Sequence, residues 1–155
     1  MINDSLSLSI AKDISNEGRE QEVKYVLWVL QVLLALAFVA AGLPKLIQPY
    51  AELAQQMAWV SDVPEVLVRF IGVAEVLGGL GLILPAATRI LPWLTPVAAA
   101  GLALDMLLAT FVHLVRGEVG LVVVPLLLGL LAALVAYGRW RVVPILARRA
   151  SRAVA

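Results

Sequence analysis

The chain has 155 residues, 62% of them hydrophobic and 15% charged, with a mean hydropathy of +0.95 and a net charge of +1. A soluble domain is about a quarter charged, so this composition belongs to an integral membrane protein, and the near-neutral balance points to no nucleic-acid partner. The absence of cysteine excludes disulfides, thiolate metal sites, iron–sulfur ligation and dithiol–quinone relays, and the single histidine cannot supply both axial ligands of a haem.

Residues 1–24 are polar, carry mixed charges and show no sustained apolar period, which reads as a polar tail or a partner-binding arm. The first span follows at about 25–43. Five acids precede it, and its apolar core is longer than a signal peptide's, so it reads as a retained span. Between spans one and two, Leu53, Met57 and Val60 recur at helical spacing while Glu52, Gln55 and Gln56 face away, the pattern of a short helix in the membrane interface with Trp59 at headgroup depth. Asp62-Val63-Pro64-Glu65 has the form of a helix start, with Asp62 as N-cap and Glu65 completing a capping box.

Span two covers about 66–84, between Pro64 and Pro85, span three 92–115, and span four 119–137. Each approaches the roughly 20 apolar residues that a bilayer core requires. Arg116-Gly117-Glu118 leaves only a tight turn, so spans three and four form an antiparallel hairpin. The expected fold is all-α, a four-helix integral membrane bundle over 25–140 with one interfacial helix. Gly72, Ala74, Gly78, Gly79 and Gly81 of span two and Ala98 to Gly101 and Ala103 of span three predict close backbone approach between those helices. Pro96 and Pro125 read as kinks that free carbonyls for a polar ligand. Trp28, Trp93 and Trp140 mark one interface, and 141–155 form a basic tail resting on anionic lipid.

Lysine and arginine orient the bundle. Nine of them (Lys12, Arg19, Lys24, Arg89, Arg139, Arg141, Arg148, Arg149 and Arg152) fall on the side of the termini, and three (Lys45, Arg69 and Arg116) on the other. Both termini are therefore expected in the cytoplasm, with the chain in the inner (cytoplasmic) membrane.

The run Phe38-Val-Ala-Ala-Gly-Leu-Pro-Lys45-Leu, then Trp59, then Arg69-Phe-Ile-Gly-Val-Ala-Glu75-Val-Leu-Gly-Gly-Leu-Gly-Leu-Ile-Leu-Pro85 resembles the DoxX-like family of small membrane proteins. Leu91-Pro-Trp-Leu-Thr-Pro-Val-Ala-Ala-Ala-Gly-Leu and Phe111-Val-His113-Leu-Val-Arg116-Gly-Glu118 continue the likeness, which covers roughly 26–140. The resemblance implies a four-helix membrane protein related to small subunits of quinone-linked oxidoreductases. It also implies that Lys45, Glu75, His113, Arg116 and Glu118 are the family's recurrent polar positions. Two residues depart from that pattern: Asp105 stands where an apolar residue is expected, and Pro125 where an asparagine is frequent.

Depth groups the polar residues without reference to any family. Glu75 and Asp105 lie near mid-bilayer, His113 about 12 Å outward from Asp105, and Arg69 about 9 Å outward from Glu75, with Lys45 ending span one on the same side. Lys45, Arg69, Glu75, Asp105 and His113 are thus the candidate ligand-binding set, a polar column opening outward above two carboxylates, with Glu75 the candidate proton-transfer residue. The same acids, paired with Lys45 or Arg69, would instead be charge-neutral glue between helices.

No metal site or covalent cofactor is expected, and no complete catalytic set can be assembled, so enzyme status stays open. Three readings follow. The first is an accessory subunit of a membrane oxidoreductase contributing to a quinone or other amphipathic ligand pocket. The second is an assembly or scaffold subunit of a larger membrane complex, and the third a small transporter or proton conductor. A Glu75 column opening to a ligand-sized cavity favours the first; one packed shut by its own helices favours the second.

Overall fold

Fixing the first turn of a helix is costly and each further residue is cheap, so a helix nucleated inside an apolar span tends to run beyond it. The computed structural model describes residues 2–148, with side chains from residue 16 onward. In it α1 is one helix from Ile2 to Ile47. The polar segment read as a tail or a partner-binding arm is helical from Ile2, continuous with the first span. Lys24, Glu22, Gln21, Glu20, Arg19 and Glu17 are all good helix formers and extend it at little cost. Basic residues Arg149 and Arg152 lie outside the described residues.

A short helix, α2 (Tyr50–Gln56), and a 3₁₀ segment over Ala58–Asp62 form the connection expected between spans one and two. Leu53 and Val60 are fully buried against Val68, while Glu52, Gln55 and Gln56 are exposed. The Tyr50 hydroxyl lies 2.7 Å from the carbonyls of both Val60 and Val63 and pins the segment to the helix that follows. That helix, α3, spans Glu65–Thr88; its N-cap is Pro64, with no side-chain cap. The expected capping box therefore does not form, because Asp62 and Glu65 are drawn into ion pairs with Arg116 and Arg69 instead.

The remaining spans are α4 (Leu94–Val115) and α5 (Val123–Tyr137), the latter preceded by a 3₁₀ turn at Val119–Leu121 and prolonged by a π-helical turn at Gly138–Val142. Gly117 takes φ +72° in the tight α4–α5 connection, a conformation open to glycine at little cost. Four stretches are long and apolar enough to cross a membrane: Asn16–Ile47, Glu65–Thr88, Leu94–Val115 and Val119–Val142. Pro96 and Pro125 are third residues of α4 and α5, where the missing N–H has no intrahelical acceptor to lose, so neither produces the expected kink. Pro85 does lie within a helix, and α3 continues past it to Thr88.

The spans form a closed bundle in which α1 packs on α3, α3 on α4, α4 on α5, and α5 on α1. Its core is apolar, with Leu27, Leu34, Phe38, Leu82, Leu102 and Val135 nearly or wholly buried. An even number of spans returns both termini to one end; the other end carries α2 and the α4–α5 turn. The glycines of α3 serve two neighbours. Gly78 and Gly81 meet Leu102 and Ala98 of α4 as expected, but Gly72 and Gly79 face α1. A Cβ built on Gly42 would fall 2.8 Å from the Gly72 carbonyl oxygen, so α1 and α3 touch backbone to backbone there.

Candidate functional site

The Gly42–Gly72 approach explains the geometry of the main polar contact. One turn beyond it, Lys45 and Glu75 are pressed together on facing helices. The Lys45 ammonium donates to both Glu75 oxygens, at 2.8 Å to Oε1 and 2.6 Å to Oε2, and to the Ala41 carbonyl at 3.3 Å. An ammonium has three hydrogens, and here each has an acceptor. Lys45 is 6% exposed and Glu75 2%. Two opposite charges in contact, each satisfied by the other, are far cheaper to hold in hydrocarbon than either alone.

The other candidate residues do not join this pair in a single column. Arg69 donates at 2.6 Å to the Lys45 carbonyl and binds Glu65 on its own helix through Nε and Nη2, which places its guanidinium at the rim above the pair. His113 lies at the end of α4, its Nδ1 2.7 Å from Glu118 Oε2, while Arg116 Nε donates to Glu118 Oε1 at 2.8 Å. Arg116 also pairs with Asp62, so this cluster ties the two connections at that end together. Hydrogen bonds from Arg116 and then His113 hold the Glu118 carboxyl below its usual range.

Asp105 stands apart. It is midway along α4, and one of its oxygens is shielded and, among the described residues, without a hydrogen-bond partner. It lies at one end of a groove of about 400 Å³ between α3 and α4, whose walls include Ala74, Gly78, Gly81, Val97 and Gly101. Neither Lys45 nor Glu75 lines this groove.

The profile of the DoxX-like family matches residues 29–135, which takes in the second and third spans whole, most of the first and fourth, and each of these polar residues. The chain belongs to the DoxX-like family. No curated protein and no solved structure matches it. This DoxX-like protein is therefore a small multi-pass membrane protein in contact with lipid on every span.

One polar site escaped the sequence. At the terminus-side end, Arg139 is only 4% exposed; its Nε donates at 2.6 Å to Gln31 Oε1, and Gln31 Nε2 donates at 2.5 Å to the Leu82 carbonyl. The guanidinium lies 5.6 Å from the Trp28 ring centroid, a cation–π distance. Three spans are thereby clasped through one buried amide. Gln31 is the only amide in an otherwise apolar first span, and that isolation was the available signal; Arg139 had the look of a tail charge.

Proposed function

We propose that this chain is a non-catalytic accessory subunit that helps assemble a larger membrane complex, one of oxidoreductase type given the relatives the family likeness implies. The observation that supports this reading is the closed Lys45–Glu75 pair. Its charges are mutually satisfied, both residues are buried, and neither lines the groove between α3 and α4. An acid that relays protons or meets a quinone headgroup has to be reachable, and a structural ion pair does not. Both termini are read as cytoplasmic and the membrane as the inner one, on the distribution of basic residues.

A second reading keeps the ligand pocket but moves it. The groove beside Asp105 is open to the bilayer, so a quinone or other amphipathic molecule entering from the lipid would meet a carboxyl there rather than at Glu75.

The test is purification of the full chain from its native membrane in mild detergent, beside a variant with both charges removed, Lys45→Met/Glu75→Leu. On the assembly reading both co-migrate with other polypeptides on native gels, and the complex keeps its electron-transfer rate. A variant that assembles fully but stalls turnover would assign chemistry to the pair and overturn the reading.

A further inference from the structure

Asp105 is out of balance with its surroundings. At its depth the described part of the bundle holds two acids, Glu75 and Asp105, and one base, Lys45, whose three hydrogens are already accepted by Glu75 and Ala41. Arg69 and Arg116 lie toward one end and Arg139 toward the other, each with its own acceptor. Among the described residues the shielded Asp105 oxygen thus has no donor, and the carboxyl lines the groove. A lone carboxyl at mid-bilayer is costly to hold in hydrocarbon, so it is the kind of group that a partner relieves.

The surroundings of Asp105 suit a helix. The groove follows α4 from Asp105 to Leu94, twelve residues or about 16 Å of helix. Its wall is low: a Cβ added at Gly101 would meet nothing within 4 Å, so a neighbouring backbone has room to approach closely. A second copy of this chain is a poor occupant, because among the described residues Asp105 is the only polar side chain on the bilayer-facing surface at that depth. A copy would bring another acid. A lipid amine is equally unsuited, since its headgroup sits about 15 Å from the midplane of a 30 Å core.

We infer that the α3–α4 groove docks a transmembrane helix of a different protein, one that places a basic side chain at mid-bilayer against Asp105. This rests on the accessory-subunit reading and adds to it which face meets the partner and by what chemistry.

The experiment uses the full chain in its native membrane, with a photo-crosslinking amino acid at Val97 in the groove, or at Leu36 on α1 and Leu127 on α5 as outward-facing controls. The expected result is an adduct from Val97 with a protein carrying lysine, arginine or histidine inside a transmembrane segment. That adduct should fall at least about tenfold in Asp105→Asn, a loss of the size a single buried contact carries, and return in Asp105→Glu. It should also return when Asp105→Lys is combined with an acid at the partner's basic position. Unchanged tryptophan fluorescence and melting of each purified variant keep the loss from being mere misfolding.

Adducts from Leu36 or Leu127 but not Val97, in a complex of full size, would overturn this docking face and leave the subunit reading intact. Adducts from Val97 only with lipid or with a second copy, or with a partner lacking a basic residue in its spans, would overturn it as well. A chain that migrates alone on native gels would end both readings.

Discussion

Lys45 and Glu75, thirty residues apart in sequence, are joined by two hydrogen bonds of 2.6 and 2.8 Å between helices whose backbones touch one turn away. The short contact and the burial have one origin. Glycines at 42 and 72 let α1 and α3 approach until two long polar side chains meet between them, both nearly sealed from the surface. A pair so enclosed carries a definite energetic signature. Removing one partner strands a charge in hydrocarbon, whereas removing both leaves a packed apolar contact.

Lys45→Met and Glu75→Leu are each expected to destabilise the bundle by about 3–5 kcal/mol, the usual cost of stranding one member of a buried pair, and the double variant by much less. Thermal unfolding in detergent, followed by tryptophan fluorescence, measures all three. Equal losses in the double variant and in the sum of the singles would show that the two charges are independent.

The glycines offer a second check. Gly72→Ala puts a methyl 2.8 Å from the Lys45 Cβ and 3.0 Å from the Gly42 carbonyl oxygen, and overpacking of this kind costs about 1–3 kcal/mol. Gly101→Ala meets nothing within 4 Å and should shift stability of the isolated chain by no more than about 0.5 kcal/mol. The same unfolding measurement compares them; a larger loss at Gly101 than at Gly72 contradicts the packing described.

How far the sequence could carry these conclusions depends on what polarity encodes. It encodes position along the span: the four spans, the connecting helix and the placing of Glu75 and Asp105 near the middle of their helices all follow from counting residues between polar ends. It does not encode which way a residue faces around its helix. That is why Lys45, Arg69, Glu75, Asp105 and His113, at compatible depths, looked like one column, although the structure places Asp105 in a separate groove and His113 with Glu118. Gln31 and Arg139, 108 positions apart, were harder still, because their contact depends on α5 closing against α1. The run of helix into residues 2–24 leaves no mark in the hydropathy pattern, because propagation from a stable span needs no apolar period of its own.

Acidification tests the far-end cluster. The folded-state pKa of Glu118 is depressed by its bonds from Arg116 and His113, so its contribution to stability is fully present above the unfolded value and is lost as pH falls through the folded one. The parent should therefore melt at progressively lower temperature as pH drops below the ordinary glutamate range. Glu118→Gln, with nothing to titrate at that position, should show a flatter profile. Parallel profiles would remove Glu118 as the source of the acid sensitivity.

Topology is directly accessible because the chain has no cysteine of its own. Gln55→Cys, on the exposed side of α2, should react with an impermeant thiol reagent in intact cells, and Ser151→Cys only after the membrane is opened. The reverse pattern would invert the bundle and place the nine basic residues outside, against their usual retention in the cytoplasm.

Arg139 provides the last prediction. Its Nε has Gln31 as acceptor, while Nη2 is buried with no partner, so the side chain is held largely by one amide and the Trp28 face. Gln31→Leu removes that acceptor and also the donor to the Leu82 carbonyl. A hydrogen bond to a charged group is worth about 1.5–3 kcal/mol, and the variant should lose at least that much. Arg139→Leu should cost less, since the Gln31–Leu82 bond survives and the penalty of burying a guanidinium disappears. Adding it to Gln31→Leu should recover part of the loss, because the stranded cation is then gone. Arg141, exposed two residues away, serves as the control: Arg141→Leu removes the same charge from the same end of the bundle and should leave melting nearly unchanged. If Arg141→Leu and Arg139→Leu prove equivalent, then Arg139 acts only through its charge at the membrane surface, and the clasp of α1, α3 and α5 contributes nothing measurable.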